Sequence, residues 1–202
     1  MSTEPHRENG KRVERSRRAI LDATRQIIET EGGFGALTIE AVAARSGIAK
    51  TTIYRQWRDK WELALDAAMI DLLPQFAYPV DVGDTRRELL TFVDSVVAAL
   101  GTPPSGPAMQ ALVSEISTRP DLAETYRTRV VEPRRDTLAP VIARGVARGD
   151  LRPDTDVQLV HEFLVGPVYY RLLFSGGSLD PGLGTRLVDA ILAGFVPRDG
   201  RA

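Results

Sequence analysis

From Ile20 to Phe195 apolar residues recur three and four positions apart, and no stretch alternates apolar with polar residues for long enough to make a strand. That spacing gathers apolar side chains on one face of successive helices and leaves nothing from which to build a sheet. The chain is therefore predicted to be all-α, with about nine helices. A first helix is expected from Ser16 to Glu31, with Ile20, Ala23 and Ile27 inward and Gly32 and Gly33 as its stop. Thr38 caps a second that ends at Gly47, a third covers Ala49 to Trp57, and Asp59 opens a fourth that runs to Pro74. QFAYPVDVGD, residues 75–84, reads as a loop.

Asp84 caps the next helix, which carries Leu89, Phe92, Val93, Val96, Val97 and Leu100. Met109, Leu112, Val113 and Ile116 mark a sixth, and a seventh from Asp121 to Ala147 must kink or split at Pro133 and Pro140. The arginines between Arg127 and Arg135, interleaved with Glu132 and Asp136, are expected on a solvated face. Asp154 caps an eighth helix kinked at Gly166-Pro167, and Asp180-Pro181 starts the last.

Composition narrows the function. The chain has 202 residues, 43% apolar and 26% charged, enough to bury a sizeable core without staples. Ser95 to Ser114 is the longest uncharged run, but GTPPSGP breaks it, so no membrane span is expected. The charged start lacks the apolar segment of a signal peptide, and the expected location is the cytoplasm. The absence of cysteine removes disulfides, thiolate zinc sites and a cysteine nucleophile. Only His6 and His161 remain, without a GxSxG, Walker A or HExxH pattern, so neither an enzyme nor a cofactor or metal site is expected. Residues 1–61 hold 12 Lys and Arg against 8 Asp and Glu, whereas residues 62–202 hold 14 against 19. A basic first third beside an acidic remainder points to a polyanionic partner for the first.

The segment TIEAVAARSGIAKTTIYRQW, residues 38–57, supplies the means. Two short helices joined by a glycine turn need a small residue where they touch, a residue free to take positive φ, and a branched apolar anchor. Ala43, Gly47 and Ile53 stand at that spacing. With Ile53 inward, an advance of roughly 100° per residue brings Trp57 inward as well and turns Thr51 and Arg55 outward. Lys50 and Thr51 occupy the end that reaches base edges when such a helix enters the major groove. Lys11, Arg12, Arg15, Arg17 and Arg18 form a basic arm ahead of the first helix, suited to the DNA backbone or minor groove.

Residues 15–68, RSRRAILDATRQIIETEGGFGALTIEAVAARSGIAKTTIYRQWRDKWELALDAA, resemble the N-terminal domain of TetR-family transcriptional regulators. The likeness includes the glycine and aromatic before Thr38, the Thr52-x-Tyr54 pattern and Lys60 after the recognition helix. The run RRDTLAPVIARGVARGDLRPDTDVQLVHEFLVGPVYYRLLFSGGSLD is similar to an actinobacterial-type C-terminal domain of that family. The resemblance implies that Thr38, Tyr54 and Lys60 meet phosphates, and that Lys50, Thr51, Thr52 and Gln56 meet bases or neighbouring phosphates. Two departures stand out. Ala49 lacks the capping side chain often found before the recognition helix, and Trp57 replaces the more usual Phe.

The organisation expected is a basic flexible arm at 1–15, a helix-turn-helix domain at 16–61, and a helical ligand-binding and dimerisation domain at 62–202. Its partners would be double-stranded DNA, a second copy and a small-molecule effector. The kinked helices are expected to leave an apolar cavity lined by some of Phe92, Val96, Met109, Leu112, Val113, Tyr126, Phe163 and Tyr169, with Gln110 and His161 as polar groups. Leu183, Leu187, Val188, Ile191 and Phe195 form the expected dimer face. The alternative is a DNA-binding regulator or architectural factor that takes no ligand.

Overall fold

The structure is a computed structural model that describes residues 4–31, 33–70, 72–102 and 105–195. Among these residues every regular element is a helix and none is a strand. There are eleven α-helical segments, which become nine when the three inside the expected seventh helix are counted as one. By compactness the chain divides into two units, Met1–Ile70 with Ala111–Ala123, and Asp71–Gln110 with Glu124–Ala202, where sequence placed a boundary after Trp61.

The first unit holds α1 (Glu4–Thr30), α2 (Ile39–Ser46), α3 (Lys50–Tyr54) and α4 (Lys60–Met69). α1 starts at Glu4 rather than Ser16, so the segment expected as a flexible arm is helical from its fourth residue, residues 1–3 lying outside the described range. Glu, Arg and Lys are good helix formers, and Pro5 falls in the first turn, where its missing N–H is not needed. Ile20, Leu21, Ala23 and Ile27 of α1 are buried, and α1 packs on α2 and α4. The Thr38 hydroxyl accepts the Ala41 N–H at 3.1 Å and opens α2. Gly47 closes it at φ 69°, a conformation that leaves little choice of residue at the turn. Asp59 accepts the N–H groups of Trp61 and Glu62 at 2.8 and 2.9 Å and opens α4.

The later helices are α5 (Thr85–Gly101), α6 (Ser105–Ile116), α7 (Pro120–Tyr126), α8 (Glu132–Asp136), α9 (Ala139–Arg148), α10 (Val157–Tyr170) and α11 (Leu183–Phe195). In the second unit α5 packs against α9, α10 and α11. The expected seventh helix is split. Pro133 lacks an N–H and its ring would meet the Arg129 carbonyl of a regular helix, so the turn Arg127–Val131 widens and the Glu132 N–H reaches back to the Arg127 carbonyl. Pro140 sits in the first turn of α9. Asp156, not Asp154, caps α10, because its carboxylate accepts the Gln158 N–H at 2.7 Å. Asp180 spends its carboxylate on the Gly182 N–H at 2.9 Å, a local turn that delays α11 to Leu183.

α5 and α9 meet closely at Gly145. A β-carbon there would lie 2.7 Å from Leu151 Cδ1 and 2.9 Å from Thr85 Oγ1. Neither neighbour can yield. Leu151 is buried, and the Thr85 hydroxyl donates to Asp150 at 2.7 Å while accepting from Arg148 at 2.6 Å. Beside them the fully buried Glu88 carboxylate pairs with Arg144 and, at 3.4 Å, with Arg148. Gly145→Ala should therefore destabilise the protein by about 1 to 3 kcal/mol despite alanine's better helix propensity, read as a lower melting temperature.

Candidate nucleic-acid interface

α3 is five residues long, and its inward side is fixed by Ile53 and, beyond its end, by Trp57, both buried. Helical hydrogen bonding continues past Tyr54, since the Trp57 N–H donates to the Ile53 carbonyl at 3.0 Å. The Trp57 indole N–H donates to Asp66 Oδ2 at 2.9 Å, and Arg17 donates to the same oxygen at 2.6 Å with its guanidinium 4.9 Å from the indole. Arg17, expected in the basic arm, thus clamps α3 to α4 from α1.

The outward side carries the predicted contacts. Thr51 and Arg55 are exposed, as is Tyr54 at 54%, while Thr52 and Gln56 are half-buried. A polar recess of about 410 Å³ brings Thr52, Arg55 and Gln56 together with Arg12, Val13 and Ser16 of α1 and with Gly47, Ile48 and Ala49 of the turn. No side chain caps α3 at Ala49. Lys50 is engaged across the turn, its ammonium 2.7 Å from Glu40 of α2. The bond holds the Lys50 pKa above and the Glu40 pKa below their ordinary values. Arg18 is exposed and lies 3.5 Å from Asp22. Thr38 is exposed beside its cap bond. Lys60 is used internally: it donates to the Leu37 carbonyl at 2.9 Å and sits 4.6 Å from the Trp61 ring, whose buried body holds it beside the start of α2.

In the second unit, five of the expected pocket residues meet in three contacts. The Tyr126 and Tyr169 hydroxyls are 2.8 Å apart, Tyr126 lies 3.8 Å from the Met109 sulfur, and His161 is edge-on to Phe92 at 5.9 Å. Val96 is buried on the same face of α5 as Phe92. Four depart from expectation. Gln110 is exposed and donates to the Leu172 carbonyl at 2.6 Å, Val113 belongs to the first unit with Leu112, and Phe163 is 48% exposed beside Phe195. Phe163 points outward because Val160 and Leu164, on the other side of α10, take the core.

Sequence missed Arg134. It is buried to 9% exposure, over Phe76 at 3.6 Å and Phe92 at 4.8 Å, and not on a solvated face. The signal was present: Val130, Arg134 and Leu138 are four apart, and both apolar members are buried. Burial lowers the Arg134 pKa to about 10, and burial with the nearby Arg134 charge lowers that of His161 to about 4.

The expected dimer face divides. Leu183, Val188, Ile191 and Phe195 are buried within the chain, where α11 packs on α5 and α10, and Leu187 is half-buried. Leu187, Ile191 and Phe195 line an apolar groove of about 300 Å³ with Phe163, Pro167 and Gly194. Along α10 an apolar row stays open, with Leu159, Phe163, Tyr170 at 60% and Phe174 at 77% just past its end. Among the described residues no helix is long and apolar enough to cross a membrane.

The family model described as bacterial regulatory proteins, tetR family, matches residues 20–67, and that of a tetracyclin repressor-like C-terminal domain matches residues 79–191. The HTH-type transcriptional regulator YdeS of Bacillus subtilis is 30% identical over 169 residues, which span 84% of this chain and 84% of that protein. The DNA-binding transcriptional repressor TetR of Mycobacteroides abscessus is 29% identical over 86% of this chain and 90% of its own length. The crystal structure of the TetR family transcription regulator SCO0332 superposes with a TM-score of 0.71 at 35% identity, covering 90% of this chain and 99% of that one. Two family models in tandem, with relatives aligned along most of both lengths, account for the helix-turn-helix and for the helical remainder. The chain belongs to the TetR family of transcriptional regulators, and it is a regulator rather than an enzyme.

Proposed function

We propose that this protein is a homodimeric cytoplasmic repressor that holds a near-palindromic operator with α3 and the α3 of a second copy, and that a small apolar or amphipathic effector bound by the second unit releases it. The exposed face of α3 carries this reading. Lys50 and Thr51 stand at its leading end as base readers, with Thr52 and Gln56 behind them. Tyr54, Arg55, Arg18 and the Thr38 hydroxyl supply phosphate contacts, which fix position without reading sequence. Lys60 supports the start of α2 through Leu37 and brings its charge to the same end of that helix.

One five-residue helix meets too few bases for useful selectivity, so two must be held roughly 34 to 36 Å apart or somewhat more. The open row of α10, together with half-buried Leu187 of α11, supports a twofold interface in which the same patch serves both copies. Leu183, Val188, Ile191 and Phe195 serve the core instead. The interior around Phe92, Val96, Met109, Tyr126, His161 and Tyr169, with few polar groups among apolar ones, suits an effector. The relative named as a repressor supports the direction of control.

With a duplex selected from a random pool, Thr51→Ala should lose roughly 1 to 3 kcal/mol of preference over a scrambled duplex in fluorescence anisotropy. Tyr54→Phe should weaken both duplexes alike. Equal losses on both duplexes for Thr51→Ala would remove it from the base readers. In sedimentation at micromolar concentration Phe174→Glu should shift the protein to monomer and reduce its operator affinity in step. A dimer that persists in Phe174→Glu, or a monomeric wild type that still selects one duplex, would overturn the pairing.

A further inference from the structure

Arg134 lies in the interior of the second unit with its Nη2 meeting no hydrogen-bond acceptor. The titratable groups nearest to bearing on it are the uncharged hydroxyls of Tyr169, Tyr78 and Tyr126, and no carboxylate is among them. The rings of Phe76 and Phe92 engage the flat face of the guanidinium. A guanidinium also has N–H groups around its edge, which take a planar anion in a two-pronged bond. The Glu88 carboxylate in the same unit is treated in the opposite way, with Arg144 and Arg148 on it. A buried charge is ordinarily paired, so one that is fully protonated near neutrality and lacks an acceptor marks a place where an anion is received.

We infer that Arg134 is the anchor for the effector's negative group, and that the effector is an organic acid carrying one carboxylate on an apolar body. This rests on the reading of the second unit as the effector domain. One guanidinium balances one negative charge, and the other polar groups in the cluster are neutral: the Tyr126 and Tyr169 hydroxyls and the uncharged His161 imidazole. A doubly charged phosphate ester would leave a buried charge uncompensated. Phe92 and Met109 offer the apolar wall against which the body of the acid rests.

The test uses the full-length protein and four acids, benzoate, phenylacetate, octanoate and decanoate, each with its methyl ester, read by calorimetry and by release of the selected duplex. At least one acid should bind tenfold or more tighter than its ester. Arg134→Met should remove that preference while leaving ester affinity unchanged, and Arg134→Lys, which keeps the charge and loses the fork, should weaken the acid alone. Because Arg134 Nη2 has no acceptor in the protein and a methionine keeps apolar contact with Phe76 and Phe92, the unliganded Arg134→Met variant should melt no lower than wild type. Equal affinity for acid and ester, an acid affinity unchanged in Arg134→Met, or no acid bound by wild type overturns the proposal. A lower melting temperature with undiminished acid binding overturns it too and assigns Arg134 to the fold. Duplex release by an ester through a path indifferent to Arg134 ends this inference and leaves the effector reading standing; intact duplex binding that answers to no compound ends both.

Discussion

A helix of five residues has no stability of its own, since the cost of nucleating a helix is recovered only over several further turns. α3 exists because Ile53 and Trp57 are buried against other elements, each worth about 1.5 to 3 kcal/mol. The Asp66 carboxylate then fixes the indole in rotation, and Arg17 holds Asp66. The exposed face of α3, the proposed DNA surface, is therefore a property of α1 and α4 as much as of α3. Removing Asp66 would leave an indole N–H and a guanidinium without their shared acceptor, so the damage would reach the exposed face of α3 without touching any residue on it.

Local chemistry was legible and long-range choices were not. Ala43, Gly47 and Ile53 announce the turn because helix contact, positive φ and the inward anchor are all decided within a dozen residues. The Thr38 and Asp59 caps were legible for the same reason. Asp154 and Asp156 are equally good capping residues on paper, and only the path of the preceding turn decides which carboxylate reaches an N–H. A charged segment such as residues 4–15 suits both a solvated arm and a helix, because the same residues serve both. The stripe on the last helix could be seen, but its division between own core and open face depends on how much of it α5 covers.

The second unit buries charge in two ways. Glu88 is taken out of water with two guanidiniums on it, and the Thr85, Asp150 and Arg148 bonds extend that network into the close contact at Gly145. Such a network gains specificity of packing more than net stability, because desolvation consumes most of the attraction. Arg134 has aromatic faces in place of an acid. Composition and charge runs cannot separate these cases, since both draw on arginines set among acidic residues. The four-residue spacing of Val130, Arg134 and Leu138 can.

If Lys50 meets DNA as proposed, its pairing with Glu40 changes what binding gives up to solvent. The salt dependence of protein–DNA affinity comes mainly from ions released when a free cation neutralises a phosphate. A lysine that already has a carboxylate partner must part from it first, and the carboxylate is left beside the helix. On a duplex that offers Lys50 no acceptor, the lysine keeps Glu40 and adds little to the ion release. Under the proposed function the matched duplex would be the one that draws the pair apart, and the exchange would turn a generic attraction for polyanions into a local penalty for the wrong sequence.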